Sequence, residues 1–219
     1  WLASVAARRD AVAKALEAPL PPRPPNFCIG CPERPVFAAM KLAKETVGAI
    51  HVAADIGCHS FATFEPFSQG HSILGYGMSL ASRAGVSPAM GRRVMAVMGD
   101  GGFWHNGIVT GVQSALFNGD DAVLVIMKNI STPVGDDSRA AEDKTRSLVH
   151  RNRVIERTLA GLGVKWLRSV DSYRVDEMRT TLEEAFTTDF AGLKVIIAEG
   201  ECQLERQRLA LLDGDFLHR

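Results

Sequence analysis

Short apolar runs alternate along the chain with longer stretches in which apolar residues recur every three or four positions. The runs fall at residues 49–53, 94–98, 122–127, 164–170 and 194–198, and their length and β-branched content predict strands. Helical periodicity falls between them, at residues 34–46, 75–84, 106–117, 151–162 and 172–186. In the third of these stretches Ile108, Val112, Ala115 and Leu116 make one buried stripe. Alternation of this kind predicts βαβ units, and hence an α/β fold: a mostly parallel sheet with helices on both faces and right-handed crossovers. Ligands of such sheets sit beyond the carboxyl ends of the strands, so the residues just after each apolar run are the first place to look for chemistry.

Upstream, residues 1–18 interleave Ala, Leu and Val with Arg, Asp, Lys and Glu and predict a helix. It is stopped by Pro19-Leu20-Pro21-Pro22-Arg23-Pro24-Pro25, which has too few backbone N–H groups for helix or sheet and reads as a stiff extended linker. The expected organisation is a helix and linker over residues 1–25, one domain over 26–205 and a tail over 206–219, in which Arg206, Arg208 and nearby glutamates form a solvated helix face. The chain opens on Trp1 rather than Met and reads as a piece of something longer.

Charge narrows the choice of partner. The 25 basic and 25 acidic side chains are spread along the chain, leaving no footprint for nucleic acid or an anionic membrane surface. The longest apolar run, residues 122–127, falls far short of the ~20 residues that a membrane-spanning helix needs. The four cysteines are too few and too scattered for a disulfide scaffold, so a cytoplasmic protein is expected.

Directly after the second run comes Gly99-Asp100-Gly101-Gly102, with a helix predicted to open near Asn106. Glycines allow close backbone approach, and a helix amino terminus offers N–H groups and a positive dipole end, which together suit a phosphate. A carboxylate among phosphoryl groups would repel them unless a hard cation lay between, and Mg²⁺ takes oxygen ligands in octahedral geometry. Asp100 is therefore a magnesium ligand candidate. The next run ends in Lys128-Asn129-Ile130-Ser131, where the Asn129 side chain and the Ser131 carbonyl are candidates to complete the coordination. The bland alternative is that both segments are turns, which Gly, Asn and Asp populate in any case.

Cys28-Ile29-Gly30-Cys31-Pro32 brings two thiols within reach of one centre, Cys58 follows a strand end, and Cys202 lies just beyond the last strand. All four could meet along the ligand-bearing edge of the sheet. Four thiolates suit a [4Fe–4S] cluster or structural zinc, and unliganded cysteines also serve as small buried hydrophobes, so spacing alone leaves cluster, zinc and no metal open.

Gly-Asp-Gly, a helix and a strand, then Asn resembles the signature of the thiamine diphosphate enzymes. Together with Cys28-Ile29-Gly30-Cys31-Pro32, Asp55-Ile56-Gly57-Cys58, Gly99-Asp100-Gly101-Gly102-Phe103 and Lys128-Asn129, it resembles over residues 24–205 the 2-oxoacid:ferredoxin oxidoreductases, and among them the thiamine-binding domain of the indolepyruvate branch's large subunit. The resemblance implies that Asp100, Asn129 and Ser131 hold magnesium, with Gly99, Gly101 and Gly102 near the diphosphate. It likewise implies that Cys28, Cys31, Cys58 and Cys202 ligate a [4Fe–4S] cluster. The implied activity is oxidative decarboxylation of a 2-oxoacid, an aryl pyruvate such as indolepyruvate, to an acyl-coenzyme A, with electrons passing singly through iron–sulfur to ferredoxin. In the family a glutamate on a separate pyrimidine-binding domain activates the cofactor, and nothing in this chain resembles that domain. A further domain or a gamma- or beta-type partner subunit is thus implied, and no catalytic residue is assigned here.

Two departures stand out. Many members carry two consecutive asparagines, whereas Asn129 lies between Lys128 and Ile130 and offers one amide; and a Thr-Ala-Met-Thr-Gly-like stretch is replaced by Thr132-Pro133-Val134-Gly135-Asp136-Asp137. His59 is a candidate to reach the thiazolium or to tune the cluster, with a surface position as the alternative, and His105 is either near the diphosphate or an ordinary helix-start histidine. Gly75-Tyr76-Gly77-Met78 reads as a helix opening that could support the thiazolium, although glycines there usually serve packing. Two other functions compete: a non-redox thiamine diphosphate decarboxylase or synthase domain with buried cysteines, and a non-catalytic metal-binding interaction module.

Overall fold

The computed structural model describes residues 1–16, 25–129 and 154–212, with side chains as far as residue 207. The element order is α1 (Leu2–Ala15), α2 (Glu33–Val47), β1 (Val52–Ala54), a 3₁₀ turn (Cys58–Thr63), β2 (Ser72–Ile73) and α3 (Ser79–Met90). Then come β3 (Met95–Gly99), α4 (residues 100–117), β4 (Ala122–Lys128), α5 (Val154–Gly161), β5 (Trp166–Asp171), α6 (Val175–Thr187), β6 (Leu193–Glu199) and α7 (Gln203–Leu212).

The six strands form one sheet in the order β2-β1-β3-β4-β6-β5, and every neighbouring pair is parallel. Central β4 is buried at all seven positions, as expected for a strand covered on both faces. Side-chain alternation sorts its residues between two cores. Val123, Val125 and Met127 join Val36, Phe37 and Met40 of α2 and Met178 and Leu182 of α6 on one face. Leu124 and Ile126 join Leu80 of α3, Phe103 and Val112 of α4 and Ile155 and Leu159 of α5 on the other. Truncating one of these fully enclosed side chains to Ala costs roughly 2–5 kcal/mol.

The predicted α/β architecture is present, and the differences lie at element ends. Helix α4 opens at Asp100, directly after β3, rather than near Asn106. Its central part, Phe103–Gln113, is wound as a π-helix, and this follows from close packing on that face. A side chain at Gly107 would come within 2.7 Å of the Met98 sulfur, and one at Gly111 within 3.2 Å of Leu80. Helix α3 opens at Ser79, so Gly75–Met78 is the turn before it rather than its first turn. Gly77 has φ +76°, and a Cβ there would lie 2.5 Å from the Gly102 carbonyl; glycine lets this turn press against the start of α4. Helix α1 buries none of its residues. The linker proposed for residues 19–25 lies outside the described residues except for Pro25.

Candidate active site

Because every strand of the sheet is parallel, every carboxyl end lies on one edge. Asp55 to Cys58 follow β1, Asp100 follows β3, Asn129 follows β4, and Gly200 to Cys202 follow β6. Helix α2 runs back toward the opposite edge before β1 begins, so its first turn, preceded by Cys28 and Cys31, also starts here. One edge thus collects residues separated by up to most of the chain.

The register Gly99↔Met127 sets Asp100 and Asn129 just beyond adjacent ends of β3 and β4. Both are buried. Asp100 is the first residue of α4, and its Oδ1 accepts the Gly101 N–H at 2.8 Å, which fixes the carboxylate against the glycine turn. Gly102 is held to a hydrogen atom by its neighbours: a Cβ would lie 2.4 Å from Asp55 Oδ2. Asp55 in turn accepts the Gly77 N–H with both oxygens at 2.7 Å, tying the α3 turn to the glycine turn. Burial raises the Asp55 pKa, and its backbone hydrogen bonds oppose the rise.

Asn129 is anchored at both ends. Its Nδ2 donates to Glu33 Oε1 at 2.7 Å, and its carbonyl accepts the Cys202 N–H at 3.0 Å. Glu33, the first residue of α2, is 2 % exposed. Burial, with the charge of Asp100 adding, pushes its carboxyl up to about 8, and the hydrogen bond from Asn129 opposes this. Glu33 Oε2 has no hydrogen-bond partner and lies 4.0 Å from His59 Nδ1. The imidazole of His59 rests against Gly99, and neither ring nitrogen makes a hydrogen bond of normal geometry. Burial pushes His59 down to about 4, so the ring is neutral, and the surface position considered for it is corrected.

The cysteines surround this floor. Cys31 N–H donates to the Cys28 carbonyl at 3.2 Å, and the Gly30 carbonyl between them accepts Tyr173 Oη–H at 2.7 Å. Cys28 and Cys58 are exposed, and Cys31 and Cys202 partly so. Burial pushes Cys58 up to about 11, with the charges of Glu33, Cys202 and Cys28 adding. Cys31 is pushed up to about 12, again by burial first, with Glu33 and Cys58 adding. The four thiols are thus electrostatic neighbours, although among the described residues no three His, Cys, Asp or Glu side chains converge on the position of a single ion.

These residues fit a magnesium diphosphate. Two buried acids side by side, unpartnered polar atoms around them and a helix amino terminus too crowded for side chains form the surroundings that a hard cation and an anion would complete. Asp100 and Asn129 are brought together as the sequence predicts; Ser131 and the loop at residues 132–137 lie outside the described residues. His105 is exposed and stacks at 5.1 Å on Tyr76, away from the buried floor. Sequence reasoning missed Glu33 and Asp55. Asp55 ends an apolar run exactly as Asp100 does, and the same logic would find it. Glu33 reads as an ordinary acid at a helix start, a place favoured by the dipole whatever its role. Lys128 was also missed; its ammonium donates to Glu156 at 2.7 Å and to Glu199 at 3.3 Å, holding α5 and the end of β6 beside Asn129.

Known proteins agree with this geometry. The chain is 29% identical over 206 residues to the indolepyruvate oxidoreductase subunit IorA of Archaeoglobus fulgidus, covering 93% of this chain and 33% of the relative. It is 27% identical over 208 residues to the subunit of the same name from Pyrococcus abyssi, covering 88% of this chain and 31% of the relative. The chain therefore spans about a third of the length of these curated relatives. Among solved structures, the 2-oxoglutarate:ferredoxin oxidoreductase of Magnetococcus marinus aligns at TM-score 0.58 and 15% identity, over 86% of this chain and 67% of that one. The thiamine diphosphate-dependent 4-hydroxybenzoylformate decarboxylase of Rhodococcus jostii RHA1 aligns at TM-score 0.51 and 16% identity, over 85% of this chain and 36% of that one. At such identities the likeness shows the fold. The sequence profile described as "Thiamine pyrophosphate enzyme, C-terminal TPP binding domain" matches residues 55–197, well over half of the chain, and the chain belongs to that family.

Proposed function

We propose that this chain is the thiamine diphosphate-binding part of a 2-oxoacid:ferredoxin oxidoreductase that acts on an aryl pyruvate such as indolepyruvate and forms an acyl-coenzyme A. The observation that carries the proposal is the sharing of one sheet edge: the Asp100–Asn129 pair and four mutually interacting thiols lie together, with the Cys202 N–H bonded to the Asn129 carbonyl. A cofactor that yields electrons would then sit beside a place to put them.

In this reading Asp100 and the Asn129 amide, with the Ser131 carbonyl, hold Mg²⁺, and Gly99, Gly101 and Gly102 let the diphosphate approach the start of α4. When bound, thiamine diphosphate supplies the carbanion chemistry that releases carbon dioxide from a 2-oxoacid. The chain's own contribution is positional. Asp55 locks the Gly77 turn against Gly102, and His59, neutral and buried, faces the site as a hydrogen-bonding group without a charge. Cys28, Cys31, Cys58 and Cys202 hold a [4Fe–4S] cluster, a centre that draws on thiols spaced more widely than those of a lone ion. A pyrimidine-binding domain or partner subunit completes the site, and ferredoxin takes the electrons, in the reducing cytoplasm where such thiols persist.

The test is to assay the complete assembly with aryl, branched and short 2-oxoacids, with coenzyme A and an electron acceptor. Aryl pyruvates are expected to give the highest kcat/KM; pyruvate as the best substrate would overturn the branch. Activity without coenzyme A or an acceptor would point instead to a non-redox decarboxylase.

A further inference from the structure

We infer that Glu33 is a positioning residue for the magnesium site, which it serves by holding the side-chain amide of Asn129 so that the amide oxygen is presented to the metal. This rests on the thiamine diphosphate reading given above and adds a residue to it.

The argument begins with the ambiguity of an amide. An Asn side chain carries a donor and an acceptor on one flat group, and only the oxygen can ligate Mg²⁺. Something must therefore decide which end faces the ion. The strand end at Lys128-Asn129-Ile130 has a single amide, so its orientation is not backed up by a neighbour. A carboxylate is acceptor-only when ionised, and even a neutral carboxyl keeps a carbonyl oxygen. Glu33 Oε1, 2.7 Å from Asn129 Nδ2, therefore selects the NH₂ end and sends the oxygen the other way.

The placement is rigid. Glu33 is fixed by the start of α2, whose Val36, Phe37 and Met40 are fully enclosed in the core. The Asn129 backbone is fixed by the last turn of pairing between β4 and β6, through the Gly200 N–H to the Lys128 carbonyl and the Cys202 N–H to the Asn129 carbonyl. The amide is thus clamped between two immobile supports, which is the role that outer partners play around metal ligands. Glu33 is not itself placed as a ligand beside Asp100, because no three acidic, His or Cys side chains converge on one ion among the described residues. Its second oxygen, buried and unpartnered, faces the His59 side of the site.

This position also couples two sites in one residue. Glu33 follows Cys31 by two positions, across Pro32, so the turn that carries two of the thiols and the residue that aims the Asn129 amide are one continuous piece of backbone.

The test uses the full-length protein in its native assembly and measures Mn²⁺ affinity in the presence of thiamine diphosphate, by electron paramagnetic resonance of free Mn²⁺ and by calorimetry. Outer partners of metal ligands are typically worth about 10- to 100-fold in affinity, so Glu33→Ala should weaken Mn²⁺ by that range, while Glu33→Gln, which keeps an acceptor oxygen, should restore binding to within the same order of magnitude as the parent. Aspartate at position 129 has no N–H₂ to anchor. In an Asn129→Asp background, Glu33→Ala should therefore no longer weaken Mn²⁺, whereas a merely structural role would give the same loss in both backgrounds. Equal losses in the two backgrounds, or unchanged affinity in Glu33→Ala, would overturn the inference. Asp100→Ala is the separate control: if it leaves Mn²⁺ and cofactor binding unchanged, the magnesium site itself is misplaced, and that failure is distinct from a failure of Glu33.

Discussion

The two edges of the same sheet treat buried charge in opposite ways. At the amino edge, Asp121 just before β4 accepts from Lys194 of β6 and from Arg93 before β3. Arg93 also donates to the Phe186 carbonyl at the end of α6, and Arg83 pairs with Asp120. At the carboxyl edge, Glu33 Oε2, both nitrogens of His59 and Glu156 Oε2 are buried without partners. Leaving a buried polar atom unsatisfied costs about 1–3 kcal/mol, so an edge that tolerates four of them is shaped for something that arrives later. The amino edge has no such need, and its ions are paired within the chain.

The contrast can be broken most severely at Asp100. Asp100→Ala should weaken magnesium-dependent thiamine diphosphate binding by at least about 100-fold, about 2.8 kcal/mol, with little change in Tm, as calorimetry and thermal melts would show. Gly77→Ala should harm both properties. Its φ of +76° and the 2.5 Å approach to the Gly102 carbonyl leave no room for a methyl, so about 1–3 kcal/mol of stability and much of the cofactor affinity should go together. Lys194→Met should do the reverse of Asp100→Ala. It strands Asp121 with Arg93 alone and lowers stability by about 1–2 kcal/mol, the half-exposed Asp121 softening the loss, while cofactor affinity holds.

The smallest effect is in pH. Burial alone would raise Asp121, but hydrogen bonds from Lys194 and Arg93 outweigh it and leave the carboxyl below its ordinary value. A depressed folded-state pKa contributes stability above the unfolded value, about 4, and that contribution is lost as pH falls through the folded value. Asp121→Asn should therefore lower stability at neutral pH and flatten its fall below about pH 4, as denaturant titrations across pH would reveal.

These edges were not equally legible in the sequence. The parallel sheet was, because residues 94–98 and 122–127 are short apolar runs divided by helical periodicity, and strand burial on both faces writes itself as continuous hydrophobicity. Asp100 and Asn129 were legible because each directly follows such a run. The opening of α4 at Asp100 was not, since three glycines in four residues suppress the propensity that marks a helix start; tertiary packing on Gly77 and Met98 overrides it. Glu33 was invisible for another reason: its partner Asn129 is 96 residues away, and no local pattern records a contact of that range.

The account's central claim is that the carboxyl edge joins a cofactor site to an electron outlet. It is tested most directly by purifying the full-length assembly without oxygen, loading it with thiamine diphosphate and Mg²⁺, and following iron content and the electron paramagnetic resonance signal on adding an aryl pyruvate. The account predicts about four irons for this domain, lost in Cys58→Ser, and a reduced-cluster signal that grows with substrate. Full thiamine diphosphate occupancy with no iron bound by Cys28, Cys31, Cys58 and Cys202 would contradict it.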